Sequence, residues 1–185
     1  SGEKVLIQGA CGGVGLLAVQ MAKNSGATVI GTASTDEGKA LVRASGADYV
    51  VDHLADDSLD YLLAITNERG PDVIIECLAN ENLESDLKVI APYGRIVIVG
   101  NRGSLEINPR LAMMKEADIL GTALWNAPAQ EYKESMHAIG AFLESGVLRP
   151  IIGEEFGLED AVKAHIEILN KKARGKMVLS INREG

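Results

Sequence analysis

Between residues 9 and 15 the chain reads Gly9-Ala10-Cys11-Gly12-Gly13-Val14-Gly15. Glycines spaced this closely are useful where the backbone itself must meet a ligand. In a GxGxxG turn the first glycine makes the tight bend. The second lets the backbone approach a pyrophosphate, and the third lets helix and strand pack closely. Gly12 and Gly15 fill the second and third places, while Ala10 stands in the first with Gly9 beside it. A helix starting beyond Gly12 offers free N–H groups and a partial positive charge to an anion. The segment is not a P-loop, because the Gly-Lys-Ser/Thr ending is absent. Glycines alone also suit a plain strand-to-helix turn with no ligand, so the surrounding elements decide.

Those elements follow from periodicity. Val5-Leu6-Ile7 reads as a buried strand and residues 13–24 as a helix. Strands are predicted at 28–32, 49–51, 72–76, 95–100 and 118–122, with helices at 36–44, 57–68, 82–90, 109–114 and 129–144. Six strands alternating with helices predict an α/β fold, a Rossmann-type doubly wound six-stranded parallel sheet. Right-handed crossovers then put the ligand crevice at the carboxyl ends of the strands, between the first and the fourth. Residues 150–153, a helix at 158–171 and a strand at 176–181 come after that unit is complete and read as a short C-terminal appendage. The division expected is 1–147 for the nucleotide-binding unit and 148–185 for the appendage.

Composition narrows the function. The chain has 185 residues, 46% hydrophobic but only 4% aromatic, so its core must be Val, Ile, Leu and Ala. A net charge of −8 argues against a duplex nucleic-acid surface. No apolar run approaches the roughly 18 residues of a membrane span, and no signal peptide is visible. Cys11 and Cys77 lie on different predicted elements and give neither a disulfide framework nor metal-ligand spacing with His. A reducing, cytoplasmic setting is expected. A core strand within four residues of the start reads as a segment of a longer protein.

The tip of the second strand speaks to cofactor choice. NAD-binding sheets usually carry an Asp or Glu there for the ribose 2′-hydroxyl. Here the chain runs Gly31-Thr32-Ala33-Ser34-Thr35, which leaves room for a 2′-phosphate. Lys39 and Arg43 on the next helix could supply charge to that phosphate, with Asp36 and Glu37 close by; the alternative is an ordinary solvated helix face.

The glycine turn resembles that of the medium-chain dehydrogenase/reductase superfamily. Residues 78–83 (Leu-Ala-Asn-Glu-Asn-Leu), 99–103 (Val-Gly-Asn-Arg-Gly), 106–110 (Glu-Ile-Asn-Pro-Arg) and 175–178 (Gly-Lys-Met-Val) narrow the resemblance to the zeta-crystallin-type quinone oxidoreductases, in order from about residue 3 to 181. The resemblance implies an NADPH (NADP) site. Cys11, Gly12, Gly13 and Val14 would hold the pyrophosphate; Ser34 and His53 would lie by the 2′-phosphate or adenine; Asn82 would line the crevice. Val99, Gly100, Asn101 and Arg102 would follow the fifth strand, and Thr122, Ala123 and Leu124 would reach the nicotinamide amide. It implies hydride or electron transfer to a quinone, without zinc, in an enzyme whose N-terminal domain supplies most of the substrate cleft and which the appendage completes. Some related reductases carry a Lys directly after the second strand, where this chain has Thr35-Asp36-Glu37.

Other readings stand beside this one. The chain offers no convincing nucleophile, acid or base. Cys11 at a helix start is either a reactive thiol or a small residue packed beside phosphate. Cys77 reads as a buried small hydrophobe, and His137 and His165 as structural or solvent-facing helix residues. Arg102 suits a phosphate, a substrate or a surface loop. Leu124 and Trp125 follow a strand at the sheet edge, where a homo-oligomer is expected to pair. Members of the family also serve as crystallins and bind AU-rich RNA, though no aromatic–basic stripe supports RNA here. An enoyl or alkenal reductase of the same superfamily would share this nucleotide domain.

Overall fold

The computed structural model describes residues 2–170 and 174–181. The first β-α-β unit is β1 (Lys4–Ile7), α1 (Gly13–Asn24) and β2 (Thr28–Thr32), followed by α2 (Asp36–Ala44) and β3 (Tyr49–Val51). The second half is α3 (Ser58–Ile65), β4 (Val73–Glu76), α4 (Ala79–Val89), β5 (Arg95–Ile98), α5 (Pro109–Lys115) and β6 (Asp118–Gly121). The sheet order is β3-β2-β1-β4-β5-β6, parallel throughout, with Leu6 opposite both Ile30 and Ile74. The doubly wound Rossmann arrangement expected from the alternation is present.

The period-2 geometry of a strand divides the core in two. Leu6, Ile30, Ile74 and Ile96 pack with Leu62 of α3 and Leu87 of α4. Their neighbours Ile7 and Val29 point the other way, onto Leu16 and Val19 of α1 and Val42 of α2. Burying one such side chain contributes roughly 1.5–3 kcal/mol. Both clusters draw on β1, β2 and β4, so the sheet beneath the glycine turn is packed on both faces.

Some boundaries moved. α3 stops at Ile65, short of 68, because Asn67 and Glu68 adopt left-handed backbone with φ of 57° and 59°. α4 begins at Ala79, three residues before the expected 82, and the Glu76 carboxylate accepts from Leu78 N just ahead of it. Residues 99, 100 and 122 leave their strands and become crevice loops.

Beyond β6 the chain forms α6 (Ala129–Glu144), none of whose residues is buried, then β7 (Ile152–Gly157), α7 (Ala161–Asn170) and β8 (Lys176–Ser180). A short 3-10 turn at Leu158–Asp160 replaces the start of the helix expected at 158–171, and Lys171 lies outside the described residues. β7 and β8 pair in parallel as a separate two-stranded sheet. This sheet is tied back to the first: Gly175 N donates to Cys11 O at 2.9 Å, and Gly175 bridges Gly12.

Candidate functional site

The turn between β1 and α1 is built from backbone. Gly9 takes φ +63°, a value that favours glycine, and so makes the bend that the fingerprint assigns to its first glycine. Ala10, the residue in that place, is fully buried, and its Cβ would lie 2.8 Å from a Cβ added to Gly31. Gly31 in β2 is thus a hidden partner of the turn. A Cβ on Gly15 would stand 2.5 Å from Gly9 O and 2.6 Å from Ala10 Cα, which is the close packing expected of the third glycine. Gly12 is the N-cap of α1 in extended backbone, and no side chain caps the helix. The first amides of α1 therefore have no intrahelical partner and face a cleft.

That cleft has a volume of about 720 Å³. Gly9, Gly12, Gly13, Val14 and Gly15 form its floor, Arg102 comes from the loop after β5, and Cys77 follows β4. The opposite wall is the appendage, with Gly153, Glu154, Ile168, Arg174, Gly175, Lys176 and Met177. Lys176 lies over the turn: a Cβ on Gly13 would come within 2.8 Å of its Cδ. Arg102, Arg174 and Lys176 put three cations around amides that already favour an anion.

The structure brings the expected Gly12, Gly13, Val14 and Arg102 together in this cleft; Cys11 is half-buried in the same turn, outside the lining. Val99 N and Gly100 N both donate to Glu76 O, and a Cβ on Gly100 would meet Cys77 O at 2.3 Å, so this loop lies tightly on the end of β4. Asn101 turns its amide to Gly103 O at 2.7 Å, and Arg102 N donates to Asn80 Oδ1 at 2.8 Å. Asn82 lies inside α4 and donates to Glu76 Oε1 at 3.3 Å. Ser34 and His53 follow β2 and β3, and Thr122, Ala123 and Leu124 follow β6; all five stand outside the lining of the cleft. Lys39 is held by Asp52 at 2.7 Å, and Arg43 is exposed in the last turn of α2. The Asp52 carboxyl is lowered chiefly by that Lys39 bond.

Sequence reasoning missed the cations of the appendage. Gly175-Lys176 was visible as a motif, but nothing local to it reports contact with a turn more than 160 positions earlier. It also missed the acid pair under the floor, Glu76 and Asp86, both fully buried. Cys77 is half-buried rather than buried, and burial, then the Glu76 charge, push its thiol up and make it a poor nucleophile. No group of three His, Cys, Asp or Glu able to hold a metal exists among the described residues.

Residues 13–141 match the family model for zinc-binding dehydrogenases. The chain belongs to that family. Quinone oxidoreductase from Rattus norvegicus is 43% identical over 180 residues, covering 97% of this chain and 55% of the relative. A Pseudomonas syringae quinone oxidoreductase of known structure superposes with a TM-score of 0.87 at 31% identity, over 96% of this chain and 56% of that one. A solved NAD-dependent alcohol dehydrogenase gives 0.87 at 28% identity, over 98% and 52%. The chain spans about half the length of the curated relatives it matches. Despite the family's name, the described residues do not fit a zinc ion: they supply no such ligand cluster.

Proposed function

We propose that this chain binds a nicotinamide dinucleotide, NADPH ahead of NADH, and forms the cofactor half of a zinc-independent quinone oxidoreductase. The observation that carries the reading is the cleft of about 720 Å³ over the uncapped start of α1, with Arg102, Arg174 and Lys176 around it. Free amides take the pyrophosphate, and the cations neutralise its charge. The missing carboxylate at the tip of β2 and the half-buried Ser34 leave space for a 2′-phosphate. When bound, the cofactor supplies hydride for the quinone, while the protein holds and orients it. Residues 1–147 form the dinucleotide unit in this reading, and 148–185 serve both as the far wall of the cleft and as a brace for a substrate domain. Turnover by this chain alone is correspondingly low.

The open β6 edge supports a homo-oligomer. Trp125 is 86% exposed and Leu124 67%, and Leu120 of β6 is exposed as well. Sedimentation should show a self-associating chain that Trp125→Asp returns to monomer.

Calorimetric titration with NADPH and NADH tests the main claim. Binding of neither sinks it, whereas tighter NADH overturns only the phosphate assignment. Gly12→Val, which places a branched side chain where the pyrophosphate must meet the backbone, should abolish binding of both.

A further inference from the structure

Directly beneath the crevice two carboxylates meet out of contact with solvent. Glu76 ends β4 and Asp86 lies within α4, each with no exposed surface. One oxygen of each is satisfied by neutral donors. Glu76 Oε1 accepts from Leu78 N and from Asn82 Nδ2 at 3.3 Å, and Asp86 Oδ1 accepts from Gln8 Nε2 at 2.8 Å. Glu76 Oε2 and Asp86 Oδ2 have no donor among the described residues. Two adjoining buried carboxylates cannot both ionise cheaply, and a single proton held in the hydrogen bond between Asp86 and Glu76 relieves the pair.

The groups acting on Asp86 are Glu76 from β4 and the neutral Gln8 from β1. The Cys77 thiol beside Glu76 is the other titratable neighbour. From β2 comes the Thr32 hydroxyl, from α4 the Asn82 amide, and β5 reaches the end of β4 through Val99 N and Gly100 N. Burial, then the hydrogen bond and charge of Glu76, push the Asp86 carboxyl up to about 8, against a lowering bond from Gln8.

The pair is wired to the glycine turn. Gln8, which donates to Asp86, accepts from Thr32 Oγ1 at 3.1 Å, and that hydroxyl accepts from Gly9 N at 2.9 Å. On the other side Glu76 holds the start of α4 through Leu78 N and fixes Asn82. We propose that Glu76 and Asp86 are positioning residues for the dinucleotide site, sharing one proton whose hydrogen bond locks the Gln8–Thr32–Gly9 chain and the start of α4 beneath the cofactor. The role rests on the dinucleotide reading above. When the proton leaves, the carboxylates repel, Gln8 follows Asp86 or loses it, and the pyrophosphate cradle slackens.

The test measures dissociation constants for NADH and NADPH from pH 7 to 9.5, with proton uptake on binding at pH 8, on the wild type and Asp86→Asn. The asparagine stays neutral: its amide donates to Glu76 while its carbonyl still accepts from Gln8. Wild-type affinity is expected to fall roughly fivefold or more across that range, with proton uptake, as a coupling between sites of ordinary size requires. Asp86→Asn should stay flat and take up none. A flat wild-type profile without proton uptake overturns the positioning role. Chemical denaturation provides an arm that needs no cofactor. A carboxyl raised in the folded state contributes stability that is whole below pH 3.8 and is lost as pH climbs through about 8. Wild-type stability should therefore drop relative to Asp86→Asn over that window, and parallel profiles overturn the shared proton. Binding of neither dinucleotide at pH 7 sinks the proposed function and the positioning role with it, while the denaturation arm still decides the shared proton.

Discussion

Replacing Gly15 by Ala tests whether the glycine turn works by close packing. The new Cβ would stand 2.5 Å from Gly9 O, 2.6 Å from Ala10 Cα and 2.8 Å from Ala10 C. All three are backbone atoms of the turn, so no flexible side chain can yield. Ordinary contact then needs α1 to retreat by about 1 Å. Leu16 and Val19 ride on α1 in a fully packed cluster with Ile7, Val29 and Val42, and they would be pulled out of register. Overpacking of this kind costs about 3 kcal/mol, of which about 1 is returned because Ala is the better helix former. The expected loss is about 2 kcal/mol by denaturant unfolding, which corresponds to a fall in Tm of roughly 4–8 °C. Cofactor affinity should fall about tenfold or more, because the amides of α1 leave their places. Gly140→Ala is the control: it sits in α6 with nothing within 4 Å of the added Cβ, and should gain about 0.5–1 kcal/mol. A Gly15→Ala protein within about 0.5 kcal/mol of wild type, with unchanged affinity, would refute the packing argument.

Lys176→Gln should weaken NADH and NADPH alike by roughly tenfold and flatten the salt dependence of binding, because it removes one cation from over the turn without touching its backbone. Unchanged affinity in low salt would remove Lys176 from the site. On the acid side, Asp48 is partly desolvated, but Lys23 and the Val29 amide outweigh that and hold its carboxyl below the usual 3.8. Such a group contributes stability above the unfolded value and loses it as pH falls through the folded one. Lys23→Met should therefore make unfolding below pH 4 less steep, and an acid limb identical to wild type would show that the pair carries none of it.

The sheet was legible because six apolar runs alternate with amphipathic ones, the pattern of parallel strands joined by crossover helices. Boundaries failed where a side chain, rather than periodicity, set them. The helix expected from 82 starts at Ala79, just after the Glu76 carboxylate accepts from Leu78 N, a contact that periodicity does not report. β7 was hidden because Gly153, Glu154 and Glu155 break any apolar alternation; its strand character comes from pairing with β8. Gly9 was read as an accessory to the fingerprint, and the structure makes it the bend itself.

The charge of the candidate site was the least legible part, for a physical reason. A local rule looks for the 2′-phosphate cation just after β2, which directs attention to Lys39 and Arg43. Asp52, from just beyond β3, engages the first, and the second stands at the far end of α2. The cations that line the cleft instead come from the loop after β5 and from the appendage, and Arg174 reaches toward α2 with its guanidinium 3.9 Å from the Glu37 carboxylate. An absent carboxylate at the tip of β2 therefore permits a 2′-phosphate without supplying the charge to hold it. The cations that do line the cleft arrive through tertiary contact. In the proposed reading, the Cys11–Gly175 hydrogen bond, which ties the appendage to the turn, therefore bears on how firmly the dinucleotide's pyrophosphate is held.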